Sequence, residues 1–190
     1  MNLQQLEKNI FTYADYRNWP EHERWEIING TPYNMSPAPS VRHQIISGEL
    51  FAQIHNLLSS KNCRVLAAPL DVRFPYGMKE DDKIIDVVQP DILIVCDPEK
   101  LDEKGCSGPP DFIAEIISPS TVSKDYITKQ KLYEKNGVKE YWIIHPADNI
   151  IHVNILKKGT YRISIHEGKG KLKMYALPDL KIDLDKVFDA

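Results

Sequence analysis

Cysteine is scarce in this 190-residue chain. Cys63, Cys96 and Cys106 form no CxxC pair and are odd in number, which argues against a disulfide framework or a cysteine zinc site and predicts reduced, packed thiols. No apolar run approaches the ~18 residues a membrane span needs, and the polar N-terminal stretch has no cationic segment followed by an apolar one. No membrane association is expected, and the expected compartment is the cytoplasm. Net charge is also small: 24 Lys plus Arg against 27 Asp plus Glu give −3, which excludes a protein that holds nucleic acid through sheer basicity. Neither a repeat nor a low-complexity linker is present, so the chain reads as globular. At this mass about 70% of the unfolded surface is buried on folding, and residues 1–190 are read as a single domain.

What is present is an ordered series of β-like runs with two helices. Residues 11–20 read as a short helix or turn. Asn29-Gly30 between 23–28 and 31–35 is a hairpin signal, because both residues tolerate the positive φ of a two-residue turn. A loop follows at 36–40. From 41 to 58 the apolar residues Ile45, Ile46, Leu50, Ile54, Leu57 and Leu58 recur at three- and four-residue steps, predicting an amphipathic helix capped by Ser40. Strands are expected at 65–74, 84–96, 112–117 and 141–144, with a loop at 97–110. The continuous apolar run Ile92-Leu93-Ile94-Val95 is the pattern of a strand buried on both faces. A helix is expected from Ser123 to a left-handed cap at Asn136-Gly137. A second hairpin is expected from 151–155 and 161–166. The class is α/β with a mixed central sheet.

Two acids interrupt these apolar strands, Asp91 before Ile92 and Glu115 within 112–117. Burying a carboxylate costs several kcal/mol unless it is paired, hydrogen-bonded or metal-bound. On neighbouring strands the two would form an oxygen-rich site for Mg²⁺ or Mn²⁺, whereas either alone is equally served by a buried salt bridge or a backbone amide. On the following helix, Asp125, Lys129 and Tyr133 lie four residues apart and share a face. That spacing also fits an ion pair on a solvated face worth roughly 0.3–0.5 kcal/mol.

The run Gln89-Pro90-Asp91, then Glu115-Ile-Ile-Ser-Pro-Ser-Thr121, Asp125, Lys129, Tyr133 and Gly137-Val-Lys-Glu-Tyr-Trp142 resembles the Uma-type restriction-endonuclease family of the PD-(D/E)XK nuclease superfamily. Trp25-Glu26, Asn29-Gly30, Ser36-Pro37, His43 and Pro69-Leu-Asp-Val-Arg73 extend the resemblance over about 20–155. It implies a restriction-endonuclease-like core, a central mixed sheet flanked by helices with N- and C-terminal hairpins, and metal-dependent hydrolysis of DNA phosphodiesters. In that pattern Asp91 and Glu115 are the metal carboxylates. The superfamily lysine two residues after the second acid is here Ile117, and the resemblance passes its role to Lys129, so that Lys129→Ala is expected to abolish cleavage and spare folding. Glu26, His43 and Asp71 match family positions as supporting residues, as does Tyr133, with Glu26 expected at the cleft edge as an extra metal or water contact.

A nuclease must hold a polyanion, and the basic side chains concentrate late in the sequence. Residues 124–139 carry a net +3 and 155–175 a net +5. Lys157, Lys158, Arg162, Lys169 and Lys171 are the candidate phosphate contacts. A solvated, lysine-rich hairpin gives the same pattern. DNA is the expected partner, and cutting both strands suggests a homodimer. The alternatives are a catalytically silent nuclease fold that binds DNA or a protein, and a two-carboxylate hydrolase with another substrate.

Overall fold

The computed structural model describes residues 10–20, 23–35, 38–58, 62–77, 80–118 and 123–189. Positions 36–37 of the expected loop and 119–121 of the motif after Glu115 lie outside them. The described chain begins with α1 (Tyr13–Tyr16), β1 (Trp25–Ile28), β2 (Thr31–Asn34), α2 (Val41–Leu58), β3 (Arg64–Ala67), β4 (Val72–Arg73), β5 (Val87–Val88) and β6 (Ile92–Val95). It continues through β7 (Leu101–Asp102), β8 (Gly105–Ser107), β9 (Phe112–Ile116), a π-helical turn at Lys124–Lys129, α3 (Gln130–Asn136) and β10 (Glu140–His145). The remaining elements are β11 (Ile150–Lys157), β12 (Thr160–Glu167), β13 (Lys171–Lys173), β14 (Lys181–Asp183) and α4 (Leu184–Asp189).

The expected central mixed sheet is present and is joined by a second: among the described residues there are two mixed six-stranded sheets, ordered β2-β1-β5-β4-β8-β7 and β12-β11-β10-β9-β6-β3, with β13-β14 as a separate pair. The second is the central one. One of its faces, with Ile92, Ile94, Phe112, Ala114 and Trp142, packs on Ile46, Leu50, Ile54 and Leu58 of α2 and on Leu184, Val187 and Phe188 of α4. The other face, with Leu93, Val95, Ile113, Tyr141 and Ile143, packs on Val72, Phe74 and Val88 of the first sheet and on Leu132 and Tyr133 of α3. The strand over 92–95 is therefore buried on both faces, as its unbroken apolar run implies. The stripe on α2 is narrower than expected, since Ile45 and Leu57 are exposed.

Two expected strands are each divided between the sheets. The run 65–74 splits into β3 and β4, and 84–96 into β5 and β6. Pro69 stands at the first division and Pro90 at the second. Proline has no N–H for a ladder hydrogen bond, so the chain changes sheet there. The second crossing, Gln89-Pro90-Asp91, delivers Asp91 to the end of β6. The expected loop at 97–110 contains the β7–β8 hairpin. Gly105 there has φ +119°, and a Cβ would stand 2.3 Å from the Asp71 carbonyl oxygen, so only glycine fits this approach. The helix after the π turn ends at Gly137, φ 83°, with the Val138 N–H donating back to the Tyr133 carbonyl at 3.0 Å.

Cys63 and Cys96 form a disulfide, and Cys106 alone is a free, buried thiol. This corrects the expectation of three reduced cysteines. Arg64 of β3 pairs with Val95 of β6, so the next residues outward, 33 apart in sequence, meet with Cα atoms 3.9 Å apart. A pairing made by strand register leaves no spacing motif to read.

Candidate active site

The antiparallel register of β6 and β9, with Ile92 opposite Ala114, brings Asp91, the residue just before β6, alongside Glu115, whose side chain lies on the face that packs toward α3. Opposed residues in such a ladder have Cβ atoms roughly 4.5–5.5 Å apart, so two acids 24 positions apart become neighbours. Oδ2 of Asp91 accepts the Ile116 N–H at 2.7 Å and lies 3.2 Å from Nε2 of His43 on α2. His43 is placed by the first turn of α2, whose Ser40 hydroxyl oxygen accepts the His43 N–H at 3.2 Å.

Glu115 is held from the helical side. Its Oε1 accepts from Lys129 Nζ and from the Tyr133 hydroxyl, both at 2.8 Å. Asp125, Lys129 and Tyr133 do share a face, but that face is buried, so the solvated ion pair is not what the structure contains. Lys129 Nζ also lies 2.7 Å from Glu26 Oε1 and 3.8 Å from Asp125 Oδ1. Glu26 is fully buried and is not a contact at the cleft edge. Its Oε1 accepts the Gln89 N–H at 3.1 Å and its Oε2 accepts from Lys124 Nζ at 2.7 Å. The buried cations are its reason for being inside. The π turn from Lys124 to Lys129 is an irregularity that helical spacing does not disclose, and such turns recur at functional sites.

Charge in this cluster is strongly coupled. Burial pushes the Glu115 carboxyl up to about 8, against the pull of Lys129 and with reinforcement from Asp125, Asp91 and Glu26. Burial opposes the charge on Lys129, but Glu115, Glu26 and Asp125 outweigh it and hold the ammonium well above its ordinary value. Burial likewise opposes ionisation of Glu26, and Lys129 with Lys124 reverses this, keeping its carboxyl below the ordinary range.

A cavity of about 950 Å³ opens over the cluster. Asp91, Glu115, Lys129 and Lys124 line it together with His43 of α2, His145 at the end of β10 and Asp148 of the following turn. Ile117, where the superfamily carries its lysine, is buried in the core beside α3. Asp71 lies farther back. Its Oδ1 accepts from Tyr16 and from Gln89 Nε2, each at 2.9 Å, and Gln89 in turn accepts through Oε1 from Arg24 on the cavity wall. Asp71 thus supports the segment that carries Asp91.

The basic hairpin is not brought to this cluster. Ile150 and Glu167 pair at the end of the sheet where His145 lies, and Lys157 and Thr160 pair at the opposite end. Seven residues of strand separate them, roughly 23 Å at 3.3 Å per residue. Lys157, Lys158 and Arg162 therefore stand at the far end, and Lys169 and Lys171 follow β12 back toward the near end; all five are exposed.

Sequence reasoning missed Lys124, Gln89 and His145 as members of the site. Gln89 was visible only as part of its motif, Lys124 only as one of many lysines, and His145 gave no signal. For a divalent ion the donor set is sparse: among the described residues no group of three or more His, Cys, Asp or Glu could hold a metal. Two neighbouring carboxylates facing a cavity with room for several waters nevertheless fit Mg²⁺, which keeps several waters and takes one or two carboxylates plus substrate phosphate.

Comparison with known proteins follows the same line. Residues 13–185 match the Uma2 family, described as "Putative restriction endonuclease". An uncharacterized protein of Synechocystis sp. (slr1290) is 25% identical over 138 residues, 72% of this chain and 68% of its own. The crystal structure of "a putative nuclease belonging to DUF820" from Anabaena variabilis shares the fold, with a TM-score of 0.74 at 19% identity over 94% of this chain and 98% of that one. The match spans nearly the whole described core, including Asp91 and Glu115, and this protein therefore belongs to the Uma2 family.

Proposed function

We propose that this protein is a metal-dependent DNA endonuclease whose PD-(D/E)XK-type site holds Mg²⁺ or Mn²⁺ between Asp91 and Glu115. The observation that carries this reading is the cross-strand opposition of those two carboxylates at a cavity, beside a buried lysine. A divalent ion supplies Lewis-acid polarisation of the scissile phosphate and a source of hydroxide at neutral pH. The chain's own groups prepare the ligands. The Ile116 N–H and His43 occupy Oδ2 of Asp91, and Lys129 with Tyr133 occupies Oε1 of Glu115. Among the described residues each carboxylate is held through one oxygen, and the other would be its donor to the ion. Lys157, Lys158, Arg162, Lys169 and Lys171, which have no carboxylate partner among the described residues, contact phosphates of a duplex long enough to run along the sheet. Cutting both strands takes two such sites, supplied by a homodimer acting in the cytoplasm.

A second reading, a member that binds DNA without cutting it, is favoured by the engagement of Lys129 with three carboxylates. Incubating supercoiled plasmid with the protein in Mg²⁺, Mn²⁺ or EDTA separates the two. Nicked or linear product in either metal and none in EDTA supports cleavage, and retention of the plasmid in a gel shift without product supports the silent form.

A further inference from the structure

We infer that Lys124, rather than Lys129, is the cation that touches the substrate phosphate in this site, an inference that rests on the nuclease reading above. An ammonium has three N–H donors and no acceptor. Lys129 faces Glu26 at 2.7 Å, Glu115 at 2.8 Å and Asp125 at 3.8 Å, and its side chain is 3% exposed. Glu26 and Glu115 engage two of these donors at hydrogen-bond distance and Asp125 stands at ion-pair distance, which leaves at most one donor, on a buried ammonium, for a ligand. One ammonium among three carboxylates also presents no net positive charge, so on its own it would meet a phosphate with repulsion from its surroundings.

Lys124 differs in each respect. Among the described residues its Nζ meets only Glu26, at 2.7 Å, so two donors remain. Its side chain is 16% exposed and lines the same cavity as Asp91 and Glu115. Glu26 uses one oxygen for each lysine, which places the Lys124 ammonium one carboxylate's width from that of Lys129. The π turn begins at Lys124 and ends at Lys129, so the same irregular turn carries both. Arg24, the remaining permanently charged cation of the described cavity wall, is turned to Gln89 through Nε and Nη2 at 3.0 and 2.8 Å. In this arrangement Lys129 is a positioning residue that fixes Glu115, Glu26 shares its charge between the two lysines, and Lys124 supplies the donor for a non-bridging phosphate oxygen.

The test uses the full chain, a labelled 30-base-pair duplex, and three variants: Lys124→Ala, Lys124→Gln, which keeps a donor for Glu26, and Lys124→Arg, which keeps the charge. Duplex affinity is measured by fluorescence anisotropy over a salt series, cleavage by plasmid assay, and folding by urea unfolding. Loss of one phosphate contact reduces the slope of log K against log salt by about one. The expected result is that Lys124→Ala and Lys124→Gln lose that unit of slope and cleave about 10²-fold more slowly, Lys124→Gln with the wild-type urea midpoint, while Lys124→Arg keeps the slope. Wild-type slope and rate in Lys124→Gln would overturn the inference. So would a slope that changes only in variants whose urea midpoint also falls. Binding without cleavage by the wild type would end the catalytic reading, yet the slope comparison would still decide the role of Lys124. Absence of duplex binding by the wild type would overturn both.

Discussion

Lys129 sits where removal of one side chain strands Glu26, Glu115 and Asp125 together. Breaking a buried ion pair by deleting one partner costs about 3–5 kcal/mol, because the remaining charge is left uncompensated. Lys129→Met, which keeps most of the volume, is expected to lose about that much in urea unfolding, whereas the catalytic role that the family resemblance passes to Lys129 led to the expectation that its loss would spare folding. A midpoint equal to wild type would show that the cluster is not paired as described. Glu115 makes a pH-dependent prediction. With its carboxyl raised from 4.5 to about 8, the folded state holds a proton there that the unfolded chain releases. The associated stability is fully present below about pH 4.5 and is lost as pH rises through about 8. A metal needs the carboxylate, so Mn²⁺ affinity moves the other way, tightening at least about tenfold from pH 6.5 to 8 by titration calorimetry. Glu115→Gln is expected to flatten the pH dependence of the apo-protein's Tm and to abolish the metal response.

At the scale of elements, the disulfide between the ends of β3 and β6 makes a countable prediction. Thiol titration of the denatured, unreduced protein is expected to find one reactive cysteine, Cys106, against three after reduction. Three without reductant would contradict the pairing. The elements themselves were largely legible. The helix at 41–58 has the expected bounds, both hairpins form, and β9 and β10 follow the apolar runs that announced them. Periodicity reports burial, however, and not partnership. Nothing in the runs 65–74 and 84–96 says that the two halves join different sheets, although Pro69 and Pro90 mark the breaks once the sheets are known. The π turn was hidden for a related reason: the four-residue spacing of Asp125, Lys129 and Tyr133 indicates a shared face but not whether that face meets water or other charges.

Across the whole molecule, charge and chemistry are arranged differently from their order in the sequence. Asp91, Glu115, Lys129, Tyr133 and Glu26 were each recognisable, through an acid within an apolar run or a motif, and the fold brings all five together. Lys157, Lys158 and Arg162 drew notice through local density of charge, and the fold carries them to the far end of the sheet. The lysine of the site that remains partly exposed is Lys124, whose neighbours in sequence give no hint of its partner Glu26, 98 residues away. The net charge of −3 likewise hides this arrangement, in which Lys124 and Lys129 pair with buried carboxylates while Lys157, Lys158 and Arg162 are exposed at the far end of the sheet. The most direct test of the nuclease account is plasmid cleavage in Mg²⁺ and in Mn²⁺ by wild type, Asp91→Ala and Glu115→Ala at equal concentration, each checked for folding. The account predicts metal-dependent product from wild type, blocked by EDTA, and at least 10²-fold less from either variant; equal product from all three proteins, or none from the wild type, would contradict it.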